Sequence, residues 1–400
     1  MNKKQLIDLQ KEFGNAFYLL DSVQFRENYK EFKESFSSVY PNFNIAYSYK
    51  TNYTPKLCRT VKELDGFAEV VSDMELEIAL RVGVKPEKII WNGPIKNYQK
   101  VEEFLLLGGK VNLDSVYEVP LIKSIAEKHP EKRLHIGIRV NFAINDGVVS
   151  RFGFDIDSDD FKEALSLTKI LNIHLYGIQC HFATRSLDTW KPRAKGMIDL
   201  LDSLHIVPEI VDLGGGLFGK MDDSLKAQFD SNIPTYDEYA AEVCPIFFKR
   251  YGSNGPMLLL EPGSALVGDC MQFITTVENI KDIRGKKIAA VFGSIYNINP
   301  TLNKKNPPLE VVACGAIQEN FKNLDFGGFT CIESDYIYRN YNGRLAIGDL
   351  VVFGNAGSYS IVLKPPFILP NFPILDVSEG KIEVLKRREI FGDLFQTYTF

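Results

Sequence analysis

Short apolar runs alternate with longer amphipathic segments along the first two thirds of the chain. Eight runs read as strands: Asn44–Lys50, Gly66–Ser72, Ile89–Gly93, Lys110–Ser115, His135–Asn141, Leu175–His181, Glu209–Gly216 and Met257–Gly263. Between them lie segments with helical spacing, such as Asp73–Val82, Glu118–Lys128 and Asp160–Lys169. Strands alternating with helices predict a parallel sheet. Eight such units in about 240 residues predict an α/β fold of the TIM (β/α)8 type. No GxGxxG follows the first run, so a doubly wound dinucleotide fold lacks its fingerprint.

From about Leu266 the pattern changes. The runs Cys270–Val277, Lys287–Phe292, Leu309–Gly315, Asp349–Phe353 and Lys381–Arg387 are separated by Gly, Pro and Asn turns, with few helical stretches. They predict a separate C-terminal β domain, a barrel or sandwich. The apolar run Phe17–Asp21 precedes the barrel and is expected to pair with that domain. The expected division is 1–22 for the pairing segment, 23–265 for the barrel and 266–400 for the β domain.

Length and composition agree with two domains. The chain has 400 residues, more than one ordinary core holds. Hydrophobic residues make up 45% and charged residues 24%, the balance of a globular protein. The net charge of -5 gives no basic footprint for nucleic acid. No apolar run approaches a membrane span, and Asp8 and Glu12 stand where a leader would be apolar. No nucleic-acid or membrane partner is expected. The six cysteines are scattered with no CxxC, which argues against a zinc site and a disulfide framework and suits a reducing cytoplasm.

The candidate chemistry collects at the C-terminal ends of the predicted strands, where barrel active sites lie. In chain order these ends carry Lys50, Ser72, Asn92, Asp114, Asn141, His181, Gly214-Gly215-Gly216 and Glu261-Pro262-Gly263. A lysine there most often snorkels to solvent. Inside a barrel mouth it is more easily neutralised, which suits imine chemistry. Three glycines read as a plain turn or as a phosphate cradle, and their place after the seventh strand favours the cradle. Glu261 reads as an ordinary strand-end carboxylate or as one facing a pyridine nitrogen. His181 is either a core histidine or a plate on a cofactor ring. Cys331, in the β domain, reads alone as a small hydrophobe.

Together these residues resemble the fold type III decarboxylases that use pyridoxal 5'-phosphate (PLP). That family includes diaminopimelate, ornithine and carboxynorspermidine decarboxylases on an alanine racemase-like barrel. Tyr47–Asn52 resembles Y-A-x-K-A-N, whose lysine bonds PLP. Gly66–Ser72 resembles G-x-x-V-V-S, with Glu69 at the acidic position. Ser150-Arg151-Phe152-Gly153 matches S-[KR]-F-G. Cys180–Thr184 resembles C-H-x-G-S, Asp212–Gly216 matches D-x-G-G-G, and Glu261–Gly263 matches E-P-G. Cys331 and Asp335 keep the C-x-x-x-D spacing, and Asn355–Tyr359 resembles N-x-G-A-Y.

The resemblance implies roles. Lys50, Cys331 and His181 would be catalytic. Glu69, Ser72, His181, Thr184, Gly214, Gly215, Gly216, Glu261, Gly263 and Tyr359 would join Lys50 in holding PLP. Asp335, Glu333 and Arg151 would meet an amino-acid substrate, and no metal is implied. Cys331 would protonate Cα across the interface of a homodimer with shared active sites. Three departures stand out. Ser264 follows E-P-G where the family carries arginine, with Arg185 a candidate to compensate. Asn299-Pro300-Thr301-Leu302-Asn303 lacks the arginine and tyrosine of the R-P-x-L-Y clamp. Glu333 falls one place later than in C-E-S-x-D. A site without that arginine has no bidentate grip on a second carboxylate, so the expected substrate is an amino acid other than diaminopimelate. An amino-acid racemase and a catalytically inactive regulatory relative are the alternative readings.

Overall fold

The computed structural model describes residues 1–298, 300–302, 304–378 and 380–400. The clamp positions Asn299 and Asn303 therefore lie outside the described residues. Two compact units emerge. One comprises Glu27–Gly219 with Ile233–Ala265, and the other Met1–Arg26, Lys220–Asn232 and Leu266–Phe400. Lys220–Asn232, which the apolar pattern puts within the barrel span, groups with the second unit.

The first unit is a closed parallel barrel. Its strands are Phe43–Ser48, Phe67–Val70, Ile89–Trp91, Lys110–Leu113, Leu134–Asn141, Ile173–Cys180, Ile210–Asp212 and Met257–Leu260. Each pairs in parallel with the next, and the eighth closes on the first, with Leu258 opposite Phe43. The first four strands are buried throughout, as strands covered on both faces must be. Their near-continuous apolar runs are the reason the pattern was readable.

Local signals start the helices. Ser72 caps Asp73–Arg81 by accepting from the Glu75 amide, Ser158 caps Asp159–Ser166, and Thr235 with Glu238 forms a capping box on Tyr236–Tyr251. Gly137, on the fifth strand, leaves room for a polar neighbour. A Cβ there would stand 1.8 Å from Asn112 Oδ1.

The second unit is built on a long strand, Met271–Ile283. It pairs antiparallel with Ala16–Leu20, Lys286–Val291 and Leu350–Phe353. Ala16–Leu20 also pairs in parallel with Ile374–Asp376. Leu6 and Leu9 of the Lys3–Phe13 helix pack with Phe17, Leu19, Ile274, Leu350 and Leu375 into one apolar cluster.

Like Ile374–Asp376, the strands Glu319–Gly327 and Tyr336–Leu345 of this unit escaped the sequence reading. They pair with each other with register irregularities around Leu324 and Phe326, and Asn323 and Asn340 have left-handed backbones. Bulges break the alternation on which strand recognition depends.

Candidate active site

The residues that follow the barrel strands converge at the C-terminal mouth. Lys50 lies in the 3-10 turn Tyr49–Thr51, just past the first strand. Its Nζ donates to Glu69 Oε2 at 2.7 Å. Ser48 Oγ donates to the same oxygen. Burial pushes the Glu69 carboxyl up, but the charge and hydrogen bond of Lys50, with help from Ser48 and Asn92, bring it below the ordinary value.

A chain of amides links this pair to Glu261. Asn92 Nδ2 donates to Glu69 Oε1 at 3.1 Å and to Glu261 Oε1 at 2.6 Å. Asn92 Oδ1 accepts from Asn112 at 2.7 Å, and Asn112 Oδ1 accepts from the Tyr176 hydroxyl. Gln179 Nε2 lies 3.3 and 3.4 Å from the Glu261 oxygens. Burial and then the Glu69 charge push Glu261 up to about 7. Burial and then the Glu261 charge hold the neighbouring Asp212 well above the usual carboxyl range. These stacked carboxyls need protons or a cation to share the space.

The glycine loop follows the seventh strand. Gly214 and Gly216 have φ of +70° and +88°, and a Cβ would stand 2.4 Å from Cys180 O or 2.7 Å from Phe182 O respectively. Only glycine fits both demands. The Gly214 amide donates to Asp212 at 2.8 Å and the Gly215 amide to His181 Nδ1 at 3.1 Å. His181 is therefore an acceptor at Nδ1. Burial, then the charge of Lys50, lowers its pKa well below the histidine range, so the ring is neutral. Among the described residues, the amides of Gly216 and Leu217 meet no acceptor. Leu217 is buried, and a buried amide without a partner is rare unless a ligand supplies one.

Other sequence candidates have local duties. Ser72 Oγ is engaged as the helix cap. Thr184 Oγ1 donates to Asp146 Oδ2 at 2.5 Å. Gly263 is close to the first turn, where a Cβ would lie 2.0 Å from Thr51 Oγ1. Arg151 is exposed and stacks 4.1 Å over Phe152. The Arg185 guanidinium lies 5.5 Å over the Phe218 ring.

In the β unit, Cys331 and Glu333 are exposed and Asp335 is buried. The Asp335 carboxylate accepts from Ser294 Oγ, the Ile295 amide, the Thr330 amide and Thr330 Oγ1, at 2.5–3.3 Å. Its lone pairs are thus committed inside the unit. Tyr359 has φ +63°, and Asn355, in the same loop, has φ +56°. Among the described residues no group of three His, Cys, Asp or Glu side chains is placed to hold a metal ion.

Sequence reading missed several mouth residues. Arg139 is buried, pairs with Asp114 at 3.0 Å and lies 4.5 Å over Phe152. Asn112 and Gln179 belong to the network around Glu261, as does Asp212, which the sequence reading quoted only as the first residue of D-x-G-G-G. A polar residue within a short apolar strand was the available signal for Asn112, Arg139 and Gln179. Arg193, in the first turn of the Trp190–Leu204 helix, offered none.

The comparisons with known proteins agree with this geometry. Residues 23–268 match the family model described as "Pyridoxal-dependent decarboxylase, pyridoxal binding domain", and the chain belongs to that family. It is 27% identical to the diaminopimelate decarboxylase of Methanothermobacter thermautotrophicus over 98% of this chain and 93% of that one. It is 25% identical to the L-glutamyl-[BtrI acyl-carrier protein] decarboxylase of Niallia circulans, over 99% and 96% of the two chains. A crystal structure of diaminopimelate decarboxylase from M. jannaschii superposes with a TM-score of 0.88 at 23% identity, covering 98% and 94%; this shows the shared fold.

The protein is thus a PLP-dependent carboxy-lyase acting on an amino acid. The mouth fits that cofactor. The unpartnered amides of Gly216 and Leu217 suit a phosphate, and Glu261 suits a ring nitrogen whose positive charge would relieve the carboxyl crowding.

Proposed function

We propose that Lys50 bonds the cofactor's aldehyde, that the Gly214–Gly216 loop and Leu217 hold its phosphate, and that Glu261 keeps its ring nitrogen protonated. The observation that carries this reading is the continuous chain Lys50–Glu69–Asn92–Glu261. It links the reactive amine to the ring-nitrogen carboxylate through direct hydrogen bonds. When bound, PLP supplies an electron sink for the bond to the departing carboxylate. The protein's part is positioning and proton control. Glu69 orients the Lys50 amine, neutral His181 offers a flat uncharged face, and Asn92 fixes Glu261.

Cys331 is the acid that returns a proton to Cα, supplied across the interface of a homodimer. Its exposure on the β unit supports such a role, since a thiol that serves a partner's site must lie at the surface of its own chain. Arg151 and Glu333, both exposed, remain the substrate contacts, and the reducing cytoplasm remains the proposed compartment.

The substrate is an amino acid other than diaminopimelate. Ser264 in place of the motif arginine and Asn299 and Asn303 in place of the clamp support this. Asp335, with its oxygens committed, does not supply a free carboxylate for a distal amine. A substrate whose distal end is conjugated therefore suits the site better than a free diamino acid. The Niallia circulans relative is named for a carrier-bound glutamyl substrate. Against it stand the several relatives named as diaminopimelate decarboxylases.

A panel assay of CO2 release tests the reading, with diaminopimelate, ornithine, arginine, free glutamate and a carrier-linked glutamyl group. Preference for diaminopimelate would overturn the substrate assignment. Interconversion of enantiomers without CO2 release would overturn the proposed roles in favour of racemisation.

A further inference from the structure

Arg193 lies in the Trp190–Leu204 helix and is fully buried. Nη1 donates to the carbonyls of Leu213 and Gly215 at 3.2 and 2.8 Å. Nη2 donates to those of Phe182 and Thr184 at 3.2 and 3.3 Å. The guanidinium lies 3.9 Å over the Trp190 ring. Among the described residues no carboxylate forms an ion pair with it. A buried cation without a counter-ion is costly. Desolvation lowers its pKa to about 10, which still leaves it charged at neutral pH.

The four carbonyls belong to two loops. One carries His181 and Thr184, the other the three glycines. Among the described residues no peptide bond is cis, so the Gly215 carbonyl and the Gly216 amide point in opposite directions. By drawing the Gly215 carbonyl to itself, Arg193 turns the Gly216 amide away. That amide and its neighbour on Leu217 are the two that lack acceptors.

Charge compensation has few other sources here. Ser264 brings no cation to the E-P-G motif, and the Arg185 guanidinium is stacked over Phe218.

We propose that Arg193 is the positioning residue of the phosphate loop: it clamps both loops by their carbonyls, aims the Gly216 and Leu217 amides at the cofactor phosphate and places a buried positive charge behind it. This rests on the PLP reading above and names the group that makes it work.

The test compares binding of PLP with binding of pyridoxal, which lacks the phosphate, to full-length apoprotein. Wild type, Arg193→Met and Arg193→Lys are titrated and their melting temperatures recorded. If wild type does not prefer PLP over pyridoxal, the phosphate-site reading itself fails. If it does, Arg193→Met should reduce that preference by about tenfold or more, the scale of one charge-assisted hydrogen bond. Arg193→Lys should lose less, because it keeps the charge without the fork. An unchanged preference in Arg193→Met, including equal weakening of both ligands, overturns the proposal. Should Arg193→Met not fold, the lysine variant decides. A reduced preference at wild-type melting temperature supports the role, and an undiminished preference overturns it.

Discussion

Lys50 Nζ stands 2.7 Å from Glu69 Oε2, in an ion pair whose glutamate side chain is almost wholly buried and whose lysine side chain is 34% exposed. Glu69 is also the shared acceptor for Ser48 and Asn92. Removing it takes one acceptor from three donors at once. Glu69→Ala is expected to lower stability by about 2 kcal/mol, below the usual cost of breaking a fully buried pair because Lys50 reaches solvent. It should also slow cofactor loading. Denaturant unfolding and the rate of PLP uptake check both effects; wild-type values for each would show that Glu69 is not the anchor.

Glu261→Gln keeps the shape and loses the charge. An amide cannot hold a proton on a ring nitrogen. PLP should still bind, while kcat falls by about 100-fold or more, as when a positioned proton-transfer group is removed. Absorbance titration and CO2 release separate the two. Turnover within a few-fold of wild type would exclude Glu261 from proton control at the ring.

Glu75 provides a pH test. Burial, with the Glu69 charge adding to it, pushes its carboxyl from 4.5 up to about 7. A carboxyl raised in the folded state binds its proton more tightly than in the unfolded chain. Its contribution is therefore fully present below pH 4.5 and lost as the pH rises towards about 7. Glu75→Gln stays neutral and can still accept from the Val71 amide, as Glu75 does at 2.8 Å. The variant's apoprotein should melt higher than wild type above about pH 7, with the difference vanishing in acid. A difference independent of pH would contradict the assignment.

Cys331→Ala should leave PLP binding intact and impair turnover. If the thiol serves the partner's site, mixing inactive Lys50→Ala and Cys331→Ala chains should restore activity. Random pairing leaves one intact site in each hybrid, so recovery approaches about a quarter of wild type. No recovery after subunit exchange would place Cys331 outside a shared site.

The barrel was legible because its strands are short, buried on both faces and regularly spaced, as Ile89–Trp91 and Ile210–Asp212 are. The ring of strand-end residues followed from that spacing. Lys50 and Glu261 could be nominated before their distances were known. What stayed hidden depends on approach in space. Nothing in Trp190-Lys191-Pro192-Arg193 says that its arginine meets four carbonyls from two distant loops. Asp335 was nominated from the family resemblance, through its place in C-x-x-x-D, yet its oxygens are engaged by Ser294, Ile295 and Thr330. Glu319–Gly327 was missed because its register shifts break the alternating pattern.

The central claim is covalent and can be measured directly. Borohydride reduction of the PLP-loaded protein fixes the cofactor to its lysine, and peptide mass spectrometry locates it. The account predicts a single adduct on Lys50, absent from Lys50→Ala together with its visible absorbance. An adduct on another lysine, such as the buried Lys96 that pairs with Glu118, would contradict it.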